Sequence, residues 1–214
     1  MRSTLDLAQF STEMTWKTAI SILSDSLNSD RLLPLSRHPL GFLRGDITSN
    51  GKLALRLHIW SDLQRYEQHP LWPIHSHSFD LISVVLVGAV RNQIYALNFE
   101  SNEPSSRIYG ASYEGSQSVL AATDTLCLLG TTESQTIHAG GTYSISHGVY
   151  HQTIVPIGTF AATLVLTTQV GGVAGVLGDA KGAQEYRYAR KPIADAEART
   201  ALNALRKRLS AISI

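Results

Sequence analysis

From Gly41 to Thr168 the chain is cut at short intervals by glycine, proline or an Asn-Gly pair, and the pieces between are aliphatic or β-branched and too brief for helices. Asn50-Gly51 is the strongest hairpin signal. The stretch after it alternates: Leu53, Leu55, Leu57 and Ile59 share one face of a strand, and Ala54, Arg56, His58 and Trp60 share the other. If the aliphatic face packs in a core, the second face either lines a pocket with an arginine, a histidine and a tryptophan or is solvated at a sheet edge. Ser83 to Val87 is a continuous apolar run stopped by Gly88. Ala89 to Phe99, Val119 to Thr132, Thr136 to His138, Thr142 to Ser146, Gln152 to Val155 and Phe160 to Thr168 read as further strands. Ser61 to Pro73 reads as a polar loop, because Pro70 and Pro73 exclude a central strand. Glu100 to Gln117 reads as loop with short extended pieces.

Helical periodicity occurs only towards the ends. Trp16, Ile20, Leu23 and Leu27 form one apolar stripe, predicting a helix over 12–28 with Thr12 as its cap. Leu202, Leu205, Leu209 and Ile212 predict a second over 193–213, with Arg206, Lys207 and Arg208 on its solvated side. Many short strands with helices only outside them argue an all-β sandwich or barrel rather than alternating β-α units. The expected organisation is a single domain over 1–214, with the β-barrel at 41–170. Gly171, Gly172, Gly175, Gly178 and Gly182 make a segment expected to be flexible, either a lid or an exposed connection. Their spacing is no phosphate loop.

The chain has 214 residues, a formal charge of +1 and 16% charged residues, which provides no field for nucleic acid or an anionic membrane. Its one cysteine, Cys127, lies in an apolar run and reads as a buried core thiol. One cysteine excludes a zinc finger, and no Gly-x-Ser-x-Gly supports a serine hydrolase. No apolar run approaches the ~20 residues that span a bilayer, and Met-Arg-Ser-Thr-Leu-Asp has no apolar signal-peptide core, so a cytoplasmic protein is expected.

The chemistry concentrates at Ile74-His75-Ser76-His77-Ser78-Phe79-Asp80. Two histidines one residue apart on a strand point to the same side, and imidazole suits zinc, copper, iron and nickel. A third, His151, follows the turn at His147-Gly148. His75-Ser76-His77 with Gly88, and Gly141-x5-His147-Gly148-x-x-His151, resemble the two motifs of the cupin superfamily. The resemblance covers about the middle half of the chain and implies a double-stranded β-helix jelly roll, with the terminal helices outside it. It also implies a divalent metal held by His75, His77 and His151. Two departures stand out. Where cupins usually carry a glutamate past the second histidine, this chain has Leu81 and Ile82, and His147 replaces the usual proline. Asp80 comes one position early, with the wrong strand parity for the histidines. A bulge at Phe79 would bring it in as a fourth ligand; otherwise it supports a ligand histidine from outside.

The three-histidine pattern is similar to that of thiol-dioxygenase-like cupins. It implies a metal-dependent enzyme, first a non-haem Fe2+ oxygenase using O2 on a small polar metabolite, with Zn2+, Ni2+, Mn2+ or Cu2+ as alternative ions. Arg56, His58, Tyr95 and His147 are the candidate catalytic residues, Arg56 or Arg91 is the partner for a substrate carboxylate, and Tyr143 and His138 are further pocket candidates. Competing expectations are a metal-dependent isomerase, epimerase or lyase with His58 or His138 as base, and a non-catalytic small-molecule-binding cupin. Cupins are often homodimers; Trp60, Trp72 and the outward strand faces are the candidate seam, and the oligomeric state stays open.

Overall fold

The computed structural model describes residues 15–27, 32–130 and 133–212. Helix α1 (Trp16–Leu27) precedes fourteen strands, and helix α2 (Asp195–Ile212) follows them. The strands are β1 (Leu35–Arg37), β2 (Leu43–Ser49), β3 (Leu53–Trp60), β4 (Phe79–Val87), β5 (Ala89–Tyr95), β6 (Leu97–Asn98) and β7 (Ser106–Glu114). They continue as β8 (Gln117–Leu129), β9 (Ser134–His138), β10 (Thr142–Ile145), β11 (Tyr150–Ile154), β12 (Ala161–Gln169), β13 (Ala174–Asp179) and β14 (Glu185–Ala189).

The fold is an all-β jelly roll, and its strand pairing shows why. In the first sheet the order is β1-β2-β3-β12-β4-β10, so the last barrel strand, β12, lies between β3 and β4. In the facing sheet β11 pairs with β5 and β5 with β9. His75 bridges to both His151 and Val176, making residues around it a short strand between β11 and β13. Both sheets therefore alternate early and late segments of the chain, which is the winding of a double-stranded β-helix. The β7–β8 hairpin, with β13 and β14 on its two sides, extends the second sheet. Gly88 makes the corner between β4 and β5 with a φ of 74°, and a Cβ there would collide with the Phe160 carbonyl.

The alternation in β3 decides where the core lies. Leu55, Leu57 and Ile59 are fully buried on the outer face with Leu164, Leu166, Val84 and Leu86, and α1 and α2 cover them through Ala19, Leu23, Leu202 and Leu205. Burying each such side chain stabilises by ~1.5–3 kcal/mol. The other face, with Arg56 and His58, turns into the barrel.

Several sequence expectations shift. Thr12 lies outside the described residues, and Thr15 caps α1, its Oγ1 accepting from Thr18 N–H at 3.3 Å. The basic run of α2 is only partly solvated: Arg208 pairs with Asp62 at 2.6 Å, and Arg206 donates to the Leu27 carbonyl. The stretch expected to be loop at 100–117 holds β7, whose few β-branched residues are compensated by pairing on both sides. The glycine-rich segment contains β13, paired with β7 from Ala174↔Ala111 to Asp179↔Ser106, so this part is a strand and not a lid. Its Gly178 leaves room for the Trp72 ring, which a Cβ would overlap. Cys127 is fully buried, as expected. Trp60 is also buried, and Trp72 packs tilted against Tyr109 and edge-to-face against Tyr186, so both rings of the anticipated dimer seam are engaged within the chain. No helix among the described residues is long and apolar enough to cross a membrane.

Candidate metal centre and its cavity

His75 and His151 face each other across an antiparallel bridge, exchanging backbone hydrogen bonds at 2.9 and 3.0 Å. Directly opposed residues project to the same face, so the two rings meet. His77, two residues on from His75, joins that face, and its carbonyl accepts from Gly148 N–H at 2.9 Å, tying the first motif to the turn that precedes His151. Ring centroids lie 4.7 Å apart for His75–His77, 4.6 Å for His75–His151 and 5.0 Å for His77–His151. One ligand nitrogen from each falls within 4.8 Å of the other two.

The donor set suits a divalent transition ion. His75 Nδ1–H donates to the Pro73 carbonyl at 2.8 Å and His151 Nδ1–H to the Val149 carbonyl at 3.2 Å. Those bonds fix the tautomers and leave Nε2 with the lone pair on both rings. Burial, followed by the neighbouring His75, pulls His151 down to about 3, and burial likewise lowers His75 and His77, so all three are neutral at physiological pH. Phe79 stacks on His77 at 4.4 Å and 15°, holding that ring in place.

The cluster opens into a cavity of about 540 Å³. Arg56 and His58 line it, as do Tyr143, Trp60 and Phe79, and among the described residues its walls carry three arginines, Arg44, Arg56 and Arg190, and no carboxylate. Asp46, next to the cavity, receives Arg44 at 2.7 Å and Arg56 Nε at 3.5 Å. Burial and then Arg44 lower Arg56 to about 10, although Asp46 opposes the shift. His58 sits against the Phe42 and Trp60 rings at 4.7 and 6.1 Å, and burial, then Arg44 and Arg56, bring it to about 3. Tyr143 reaches Ser83, Thr153 and Asn92, and burial raises its pKa.

Other sequence candidates lie elsewhere. Asp80 is not in the histidine cluster: β4 pairs with β12 without a break from Val85↔Thr163 to Phe79↔Gln169, so no bulge at Phe79 reverses its parity. Its carboxylate instead accepts from His147 N–H at 2.8 Å and meets His147 Nδ1 at 3.1 Å, on a half-exposed surface. That same contact takes His147 out of the cavity. Tyr95 is opposite Tyr150, one position out of step with the His151↔Ile94 pair, and donates to Gln152 Oε1 at 3.1 Å away from the cavity. Arg91 shares that outward parity and is exposed, as is His138. The sequence reading missed Arg190, Arg44 and His38. Arg190 follows the glycine-rich stretch and His38 stands between two prolines, where no periodicity marks a facing side.

This fold, with three neutral imidazoles gathered at the wall of a polar cavity, defines a candidate metal-binding jelly roll. No family model and no curated protein matches the chain. Among solved structures it is similar to one determined for the mechanism of oxalate oxidase and to recombinant oxalate oxidase in complex with glycolate. Each has 14% identity and a TM-score of 0.39, with 82% of this chain and 74% of the other covered. What this chain does is therefore read from its own cavity.

Proposed function

We propose that the protein is a metal-dependent oxidoreductase of the cupin type, a non-haem iron(II) oxygenase acting on a small polar acid. The observation that carries this reading is the convergence of His75, His77 and His151, with the His75 and His151 tautomers fixed, on one side of a cavity large enough for a substrate. Three protein ligands leave open positions on an octahedral ion, and iron bound there would supply oxygen activation. The chain supplies the rest. Arg56 belongs to a cationic wall that draws an acid inward, His58 stays neutral and offers the substrate a polar contact, and the Phe79, Trp60 and Phe42 rings exclude water.

Anaerobic purification and iron reconstitution, followed by elemental analysis, tests the reading. Wild type is expected to bind close to one iron per chain and His77→Ala to lose it with its circular dichroism unchanged, and chelating acids are expected to drive oxygen uptake. Absence of iron, or of uptake with any such acid, sinks the proposal. Turnover without oxygen, retained with zinc or manganese, selects instead an isomerase or lyase.

A further inference from the structure

Arg190, just past β14, stands on the wall shared by the large cavity and an adjoining pocket of about 90 Å³, whose far side is lined by Leu71, Trp72, Leu120 and Val176. Its guanidinium is fixed. Nε donates to Ser118 Oγ at 2.5 Å, and the group lies over the Tyr113 ring at 4.7 Å. Nη2 ends 3.3 Å from His38 Nε2. His38 is fixed as well, stacked on Phe42 at 4.1 Å and 13°, with Nδ1 accepting from Leu40 N–H at 3.2 Å.

A neutral imidazole has one donor nitrogen and one acceptor. Since Nδ1 of His38 accepts, its proton is on Nε2, and burial followed by Arg190 keeps the ring neutral. Two N–H donors, one of them charged, therefore point at each other with no acceptor between them. Arg44 and Arg56 share Asp46, whereas Arg190 has no carboxylate at ion-pair distance among the described residues. The arrangement calls for an anionic oxygen that accepts from both groups. The pocket beyond, about 90 Å³, is walled on its far side by Leu71, Trp72, Leu120 and Val176 and elsewhere by polar groups such as Gln68, Ser76 and Ser118, so on that far side it admits a short hydrocarbon group of the acid.

We propose that His38 and Arg190 form a carboxylate subsite, in which one oxygen of a substrate acid accepts from His38 Nε2–H and Arg190 Nη2–H while a short aliphatic group of that acid fills the neighbouring pocket. The proposal rests on reading the cavity as the substrate site and adds which residues choose the substrate. Arg190 becomes the anchor of the acid, and Arg56, whose Nε lies 3.5 Å from Asp46 without a hydrogen bond to it, shapes the field around it.

Long-range proton–nitrogen correlation spectra of histidine-labelled, chelator-treated full-length protein test it without any metal chemistry. Before ligand, His38 is expected as the Nε2–H tautomer. Butyrate is expected to shift its Nε2 saturably, acetate to bind more weakly, and inorganic phosphate to give no saturable shift. Arg190→Gln should weaken butyrate by about tenfold or more. With affinity read by calorimetry, since the His38 signal is gone, His38→Leu should do the same, while His38→Gln, which keeps an N–H donor, stays within about threefold of wild type. Iron content of Arg190→Gln should equal that of wild type. Butyrate affinity in Arg190→Gln within about twofold of wild type, or phosphate binding as tight as butyrate, overturns the subsite. Butyrate binding at His38 in a protein that takes up no metal upholds the subsite and removes only the iron reading.

Discussion

His58 is wedged against Phe42 and Trp60 with Arg44, Arg56 and Arg190 in electrostatic reach, and its folded pKa is about 3 against an ordinary value of 6.5. The unfolded chain therefore binds this proton first. The contribution of this group to stability is complete above about pH 6.5 and is lost at ~1.4 kcal/mol per pH unit as pH drops towards the folded value, on top of the losses from the other buried histidines. His58→Phe in metal-free protein is expected to reduce the slope of unfolding free energy against pH by about that amount between pH ~4.5 and ~6. Urea titrations across this range measure it, and an unchanged slope would mean that His58 is protonated in the folded state. Asp80 gives the second prediction at this scale. Its carboxylate is bound to His147 on the surface, so Asp80→Asn should leave the metal-to-protein ratio at the wild-type value by elemental analysis. Loss of the ion in that variant would return Asp80 to the coordination shell.

Among the elements, the short strand at His75 depends on what delivers it. Arg65, in the preceding polar loop, donates to the carbonyls of Val155, Pro156 and Thr159 at 2.5, 2.8 and 2.9 Å, clamping the turn between β11 and β12. Charged hydrogen bonds to backbone carbonyls are worth ~1.5–3 kcal/mol each before the cost of ordering the side chain. Arg65→Ala is expected to lower stability by ~1–3 kcal/mol in urea unfolding and to speed hydrogen exchange at the amides of 155–159, whereas unchanged exchange there would show that the turn holds itself. The elements also show where legibility stopped. Strands with their own alternation or β-branched runs, such as β3, β4 and β12, were readable because burial on one or both faces writes itself into the sequence. β7 and β13 were not, since their glycines, serines and alanines carry no period and only their partners hold them extended.

At the scale of the molecule, the first sheet separates two environments, an aliphatic layer under the helices and a polar bore. Leu205 is fully buried in that layer, so Leu205→Ala should cost ~2–5 kcal/mol by urea denaturation while the metal ratio under native conditions stays unchanged. A matching loss of metal would show that the helical cover also shapes the site. Sequence alone determined the β class, the two faces of β3 and the shared direction of His75 and His77, because side-chain parity along a strand is local and repeats every two residues. The tertiary structure alone decided that His151 meets His75, that Asp80 turns to His147 and that Arg190 reaches His38. Those contacts depend on which remote strands pair and in what register, and that is set by burial and hydrogen bonding across the whole barrel.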